Sequence, residues 1–180
     1  MNSAPKILSL QNYVRFDGRI GRQHYIQSVL ILMFITLLFR YVVGSLYYGM
    51  PMILPHNITD ESAFRAVLKS KTIGDSISSL VLLGPMSSVV ARRLHDRSWS
   101  GWLNLLWIFS TATYFGLWFA EINSVAALND QGFWERKSTL VSHLDGLVAG
   151  VIQIFFTIEL WFRRGTDGPN RFGPDPLAGK

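Results

Sequence analysis

Four long apolar runs constrain the fold of this chain more than any other feature of its sequence. They occupy residues 25–48, 73–91, 102–122 and 144–162. About 20 mostly apolar residues are enough for an α-helix to cross ~30 Å of hydrocarbon. The first run also lacks the alternation of apolar and polar residues that a membrane β-strand requires. The pattern therefore predicts an all-α membrane protein, a bundle of four transmembrane helices.

The composition agrees with this prediction without requiring it. Charged residues make up 16% of the chain and hydrophobic residues 49%, which would also suit a very apolar soluble core. The 24 residues before the first run are too polar for a secretory signal, and the run itself is longer than the ~7–15 residues of a signal peptide. We therefore expect the first run to be an uncleaved span.

The second run, 73–91, gives the weakest signal of the four. It contains Asp75, five serines and the pair Gly84-Pro85. Small residues allow helices to pack closely in a membrane, and a proline is expected to kink the helix. A helix of a soluble protein is the alternative interpretation. In the fourth run, Gly146 and Gly150 have the spacing of a helix-packing face, which is a weak signal because it also arises by chance.

Lysine and arginine residues predict the orientation of the bundle. Eleven of them fall in segments 1–24, 92–101 and 163–180, which four spans place on one side, and five fall in the connectors 49–72 and 123–143. Because cytoplasmic flanks carry the excess of basic residues, both termini are expected in the cytoplasm. We expect both connectors to be extramembrane loops, with a short surface helix possible near residues 62–70.

Three polar motifs lie on the predicted cytoplasmic side. They read FDGRIGR at 16–22, RRLHDRSWSGW at 92–102 and RGTDGPNRFGPDP at 164–176. Their order and spacing resemble domain of unknown function 805, a family of small bacterial inner-membrane proteins of the YhaH type. The resemblance implies a four-span protein of the bacterial inner membrane, without an assigned activity, in which connectors 49–72 and 123–143 are periplasmic. Connector 49–72 is longer than expected of a minimal member.

The three motifs predict a binding site for an anionic group. Four spans would bring the motifs to one end of the bundle, where basic residues outnumber acidic ones. Arginine donates two parallel hydrogen bonds to a phosphate, and anionic headgroups line this side of the membrane. An anionic phospholipid or another phosphate-bearing ligand is therefore expected, and Arg93→Lys is expected to weaken its binding without affecting folding. The predicted site comprises Arg19, Arg22, Arg92, Arg93, His95, Asp96, Arg97, Arg164, Asn170 and Arg171.

Two alternatives to this site remain open. In the first, the arginines do no more than set the orientation of the spans and pair with nearby acidic residues. The segment 16–22 could be an interfacial turn instead of an anion-binding loop, and it lacks the strand and the third glycine of a dinucleotide site. His95 and Asp96 are adjacent and point about 100° apart on a helix, so they do not form a ready catalytic dyad.

A second set of charges lies within or beside the apolar runs. It comprises Arg40, Asp75, Glu121 and Asp145. An unpaired arginine at the centre of a span costs about 2.5–3.5 kcal/mol on insertion scales. We therefore expect Arg40 to face the bundle and to pair with one of the three acids. Alternatively, the three acids contact water or lipid headgroups, and the side chain of Arg40 extends towards the membrane interface.

Three classes of function are compatible with these features. The first is a non-enzymatic module that binds anionic lipid or a partner protein at its cytoplasmic face. The second is a small transporter or channel subunit, which would require more than one copy because four helices enclose little space. The third is a membrane enzyme acting on a lipid or phosphate substrate, although the sequence shows no catalytic or metal-binding spacing. We expect no cofactor, and nucleic acid is disfavoured because the basic residues flank the spans.

Overall fold

Helices account for most of the chain in the computed structural model, which describes residues 11–48, 58–120, 122 and 124–178. A five-residue π-helical segment, Ile158–Phe162, follows the α-helix that ends at Thr157. A 3-10 turn, Gly101–Leu103, precedes the α-helix that begins at Asn104. The elements in chain order are α1 (Gln11–Val14), α2 (Arg22–Tyr48), α3 (Glu61–Asp96), α4 (Asn104–Phe119), β1 (Ser124–Leu128), β2 (Trp134–Ser138) and α5 (Leu140–Thr157).

Three helices in the described part of the chain are long and apolar enough to cross a membrane. They are Arg22–Val42, Glu61–Asp96 and Leu140–Phe162. The third apolar run of the sequence forms α4, whose 16 residues extend only about 24 Å at 1.5 Å per residue. The described part of the protein is therefore mostly helical with three candidate membrane spans, and α4 is not among them.

The helix α3 begins inside the segment 49–72 that the sequence led us to expect as a loop. The main chain of Asp60 accepts the N–H of Phe64, and its side chain accepts the N–H of Ser62 at 2.9 Å. An aspartate in this position caps the first turn of a helix. The helix then continues through Pro85 to Asp96 over 36 residues. The short helix considered near residues 62–70 is therefore present as the first part of one long helix, and residues 49–57 lie outside the described residues.

The connector 123–143, also expected as a loop, contains a β-hairpin. Strands β1 and β2 pair antiparallel, with Leu128 opposite Trp134. The side-chain oxygen of Asn129 accepts the N–H groups of Gln131 and Phe133, both at 3.0 Å, and Gly132 adopts φ +79°. Asparagine and glycine are suited to such a turn because one hydrogen-bonds the local backbone and the other tolerates positive φ.

The described residues form two compact units. The first takes its residues from Met1–Ile35, Val81–Ile108 and Val151–Lys180, and the second from Thr36–Leu80 and Phe109–Gly150. Apolar side chains such as Val29, Val89, Leu94, Phe156 and Leu160 form the core of the first unit. In the second unit, a Cβ at Gly146 or Gly150 would meet no atom of the described residues within 4 Å.

Many large apolar side chains of α2 and α5 are exposed. Phe34 is 67% exposed, Leu147 67% and Val151 68%. A soluble monomer rarely exposes a continuous apolar surface of this kind, whereas the hydrocarbon of a bilayer would solvate it. The exposed residues therefore agree with contact between these helices and lipid.

Candidate functional site

A buried arginine of the second motif joins the ends of two helices in the first unit. Arg93 and Asp96 are three residues apart on the last turn of α3, so their side chains meet and form an ion pair. Arg93 also donates from Nε to the carbonyl of Leu160 at 3.0 Å and from Nη2 to that of Arg163 at 2.6 Å. These carbonyls lie at the end of a helix, where no further turn supplies N–H donors. Arg93, with no exposed side-chain surface, thus supplies donors to two carbonyls of that end.

A second buried arginine, from the first motif, binds the same carboxylate. Arg19 donates to Asp96 from Nη2 at 3.0 Å and from Nε at 3.2 Å. Its remaining donors reach the carbonyls of Thr166 at 2.6 Å and Gly168 at 2.7 Å in the third motif. The side chains of Arg19 and Asp96 are 1% and 4% exposed. We call Arg19, Arg93 and Asp96 the Asp96 network, and it joins all three motifs.

The backbone of the third motif passes directly over the Asp96 carboxylate. A Cβ atom at Gly165 would overlap that carboxylate, so a residue without a side chain is required. The next residue, Thr166, donates its backbone N–H to the carbonyl of Asp96 at 2.8 Å. Gly165 therefore permits the close contact between the third motif and Asp96 on which the Asp96 network depends.

His95 provides a second connection between the motifs. Its Nδ1 lies 3.1 Å from the carbonyl of Gly18, and its ring stacks on Phe172 with centroids 3.9 Å apart. Since a carbonyl only accepts, Nδ1 carries the proton. The main-chain oxygen of His95 accepts the side-chain amide of Asn170 at 2.9 Å. A Cβ at Gly101 would lie 3.0 Å from His95 Nε2, which makes the histidine a tightly packed connecting residue.

Acidic residues outside the predicted site also bind its arginines and its backbone. Glu159 pairs with Arg97 at 3.3 Å and with Arg163 at 3.2 Å. Asp175 accepts the N–H of Gly168 at 3.0 Å. Hydrogen bonds from the backbone of Leu177 and of Gly168 lower the pKa of Asp175 below its ordinary value. The sequence signal for Glu159 was its position four residues before Arg163, a spacing that favours ion pairs on a helix.

The structure divides the predicted arginines into buried and exposed ones. Arg19 and Arg93 use their donors internally, and Arg92 is only 6% exposed. The prediction that Arg93 offers its charge to an external anion therefore does not agree with its surroundings. Arg22, Arg164 and Arg171 are exposed, and Arg97 is half-buried. Arg171 lies 4.6 Å above the ring of Phe172 and makes one long contact, 3.5 Å, with the carbonyl of Ser98.

An apolar cavity of about 590 Å³ lies beside the stacked rings of His95 and Phe172. Phe16, Trp102 and Leu105 complete much of its wall. Ser87 and Asn104 also line it, and the Oγ of Ser87 and the Oδ1 of Asn104 are buried without a hydrogen-bond partner among the described residues. We call this space the motif cavity, because all of its lining residues belong to the first unit and several belong to the motifs.

Arg40, Asp75 and Asp145, which lie within or beside the apolar runs of the sequence, belong to the second unit. Arg40 pairs with Asp75 at 2.6 Å, and both side chains are about one-third exposed, 34% and 30%. Asp145 makes no ion pair with any residue that the structure describes, and Glu121 lies outside the described residues. Of the expected acids that the structure describes, Asp75 contacts Arg40. Throughout the described ranges, no three His, Asp or Glu side chains form a group that could hold a metal ion.

Comparison with known proteins identifies the family. The family model described as "Protein of unknown function (DUF805)" matches residues 13–174. Comparisons with curated proteins and with solved structures gave no match. The matched range covers nearly the whole chain and includes the first two motifs and most of the third, which confirms the resemblance seen in the sequence. The chain belongs to the DUF805 family.

Proposed function

We propose that this protein is a non-enzymatic module of the bacterial inner membrane that binds an anionic phospholipid through its three motifs. In this proposal the chain crosses the membrane four times, with both termini in the cytoplasm. The excess of basic residues in the segments 1–24, 92–101 and 163–180 supports that orientation. The 3-10 turn before α4 adds about 6 Å to its length of about 24 Å, which brings the helix close to the ~30 Å of hydrocarbon.

The observation that carries the proposal is an exposed arginine beside the motif cavity. Phe172 lines the cavity and lies under the guanidinium of Arg171. An acyl chain in the cavity would thus leave its phosphate within reach of Arg171. The volume, about 590 Å³, falls within the ~300–1,000 Å³ typical of small-molecule sites. Arginine suits the headgroup because its planar fork donates two parallel hydrogen bonds to a phosphate.

The Asp96 network supports this role because it holds the third motif in a fixed position. Its charges are satisfied inside the protein, so they stabilise the position of the third motif without contacting the ligand. Phe172 and Arg171 then owe their position to Asn170, which donates to the carbonyl of His95 and accepts the N–H of Phe172 at 2.9 Å. Lipid binding should accordingly depend on the charge of the exposed arginine and on the shape of the motif cavity.

Native mass spectrometry of the full chain tests the proposal. The wild type should retain cardiolipin through collisional activation that removes phosphatidylcholine, and Arg171→Gln should lose most of this difference. Gly84→Leu should lower retention of both lipids, because Gly84 lines the motif cavity and an added Cβ meets no atom within 4 Å. Arg65→Gln removes an equal charge from an exposed site in the second unit and serves as the control. Equal retention of both lipids by the wild type would refute the proposal.

A second candidate function is a small transporter or channel subunit. The observation that favours it is the ion pair of Arg40 and Asp75 in the second unit, because ionisable residues near the middle of a membrane often mark the route of a solute. Flux of a charged solute into vesicles that contain the protein would support it. The same flux in Arg40→Gln vesicles would count against it.

A further inference from the structure

Two polar atoms in the wall of the largely apolar motif cavity have no partner among the described residues. They are the Oγ of Ser87 and the Oδ1 of Asn104. Both residues line the cavity, and they are 3% and 4% exposed. We propose that this pair binds a hydroxyl group on an acyl chain of the anionic phospholipid. The inference rests on the proposed function, because it concerns the ligand of the same cavity.

The orientation of the Asn104 amide determines which chemical group it can bind. Its Nδ2 donates to the main-chain carbonyl of Ser87 at 3.3 Å, so the amide oxygen, and not the nitrogen, is the atom available to a ligand. That oxygen only accepts hydrogen bonds, whereas the Ser87 hydroxyl can donate one. A ligand hydroxyl donates one hydrogen bond and accepts another, so a single group satisfies both atoms. The carbonyl of an ester only accepts and would leave Asn104 unsatisfied.

The pair lies at the depth that a hydroxyl near the headgroup would reach. Ser87 precedes His95 by eight residues on α3, which is about 12 Å along a helix axis at 1.5 Å per residue. His95 stacks on Phe172, and Arg171 lies over the ring of Phe172, so the expected phosphate lies at this end of the cavity. A hydroxyl on the third carbon of an acyl chain is eight bonds from the phosphorus, roughly 9 Å at the ~3.4 Å per three bonds of an extended chain. The two lengths are comparable, so we expect the hydroxyl near that carbon.

Two lipids that differ by one oxygen atom test the inference. Phosphatidic acid is suitable because its headgroup has no alcohol, and it is compared with the same lipid carrying a 3-hydroxypalmitoyl chain in place of a palmitoyl chain. Equal amounts of both are added to the full chain in a neutral detergent, and native mass spectrometry resolves the two bound forms by mass. The wild type should retain the hydroxylated lipid in about tenfold excess, because its hydroxyl satisfies an otherwise unpaired buried acceptor.

Substitutions at the pair should remove this preference without removing lipid binding. Ser87→Ala and Asn104→Leu should each bring the ratio of the two bound lipids close to one. Ser78→Ala is the matched control, because it removes a similarly buried hydroxyl of α3 that already donates to the carbonyl of Gly74 at 2.8 Å, and it should leave the ratio unchanged. Without lipid, Ser87→Ala should unfold at a temperature no lower than the wild type, since no hydrogen bond of its Oγ to a described residue is lost.

The outcomes separate this inference from the proposed function. Equal retention of the two lipids by the wild type would overturn the inference and leave the proposed function in place, with a buried water as the partner of the two atoms. Retention of neither lipid would refute both. A clear loss of thermal stability in lipid-free Ser87→Ala would also overturn the inference, because the hydroxyl would then have a partner within the protein.

Discussion

At Arg93 a single side chain connects the last turn of α3 to the end of the π-helical segment that follows α5. It contacts one carboxylate and two main-chain carbonyls, and no part of it is exposed. A buried charge is tolerated only when its partners satisfy it, and removing one partner typically costs about 3–5 kcal/mol. Lysine keeps the charge but lacks the planar arrangement of donors that reaches three acceptors in different directions. The contribution of Arg93 is therefore geometric as well as electrostatic.

The substitution Arg93→Lys should destabilise the folded protein. Loss of the bonds to Leu160 and Arg163 is expected to lower the free energy of unfolding by about 1.5–3 kcal/mol, the range for hydrogen bonds to a charged group. Unfolding by denaturant in detergent micelles measures this change. Arg65→Lys, at a half-exposed ion pair, should shift stability by less than about 1 kcal/mol. Equal stability of the two variants would show that charge alone matters at Arg93.

At Gly165 the expected effect comes from volume. A Cβ there would overlap the carboxylate of Asp96, so Gly165→Ala should lower stability by about 1–3 kcal/mol, as overpacking does elsewhere. Gly146→Ala provides the comparison, because its Cβ would meet open space on a helix and alanine is the better helix former. Thermal unfolding of both variants in the same lipid distinguishes them. A stable Gly165→Ala protein would contradict the close approach of the third motif to Asp96.

At the scale of elements, the helices were the predictable part. Runs of about 20 apolar residues give a strong signal because the signal accumulates over their whole length. The start of α3 at Glu61 was less visible, since its cap depends on the single residue Asp60. The strands β1 and β2 contain five residues each, too few for a clear alternation. Their turn residues, Asn129 and Gly132, were the available signal for the hairpin.

The sequence predicted which residues belong to the candidate site, but it did not predict the contacts between them. Motif spacing indicated which residues lie in the same region, but the contacts of Arg19 with the carbonyls of Thr166 and Gly168 depend on the tertiary path of the third motif. Charge counting treated every arginine alike and could not distinguish the buried Arg19 from the exposed Arg171. Backbone carbonyls are acceptors at every position, so the sequence does not reveal which of them a side chain will reach.

The third motif should loosen at low pH through Asp175. Its pKa is lowered in the folded protein by hydrogen bonds from the backbone of Leu177 and Gly168. A lowered pKa means that the stabilisation is present above the ordinary value of 3.8 and is lost as the pH falls through the folded value. Hydrogen exchange of the Gly168 amide should therefore accelerate, relative to the intrinsic rate, only at acidic pH. In Asp175→Asn this pH dependence should be absent, and its persistence would assign the effect to another group.

At the scale of the whole molecule, the chain is a DUF805 protein with three helices long and apolar enough to cross a membrane. The orientation proposed above rests on the distribution of basic residues in the sequence, so accessibility to labels is the direct measurement. The chain has no cysteine, which allows single cysteines to be introduced without background. In intact spheroplasts, Gln131→Cys should react with an impermeant maleimide and Ser98→Cys should not. Labelling of Ser98→Cys from outside would refute the proposed orientation.

Crosslinking shows directly whether an anionic lipid binds in the motif cavity. The probe is phosphatidylglycerol with a diazirine on its acyl chain, added to the full chain in nanodiscs, and labelled peptides are identified by mass spectrometry. We expect preferred labelling of Phe16, Trp102 and Leu105, which line the cavity. Labelling of these residues should be weaker with the phosphatidylcholine analogue and in Arg171→Gln. Labelling that concentrates instead on the exposed face of α5, at Leu147 and Val151, with equal yield from both lipids would contradict it.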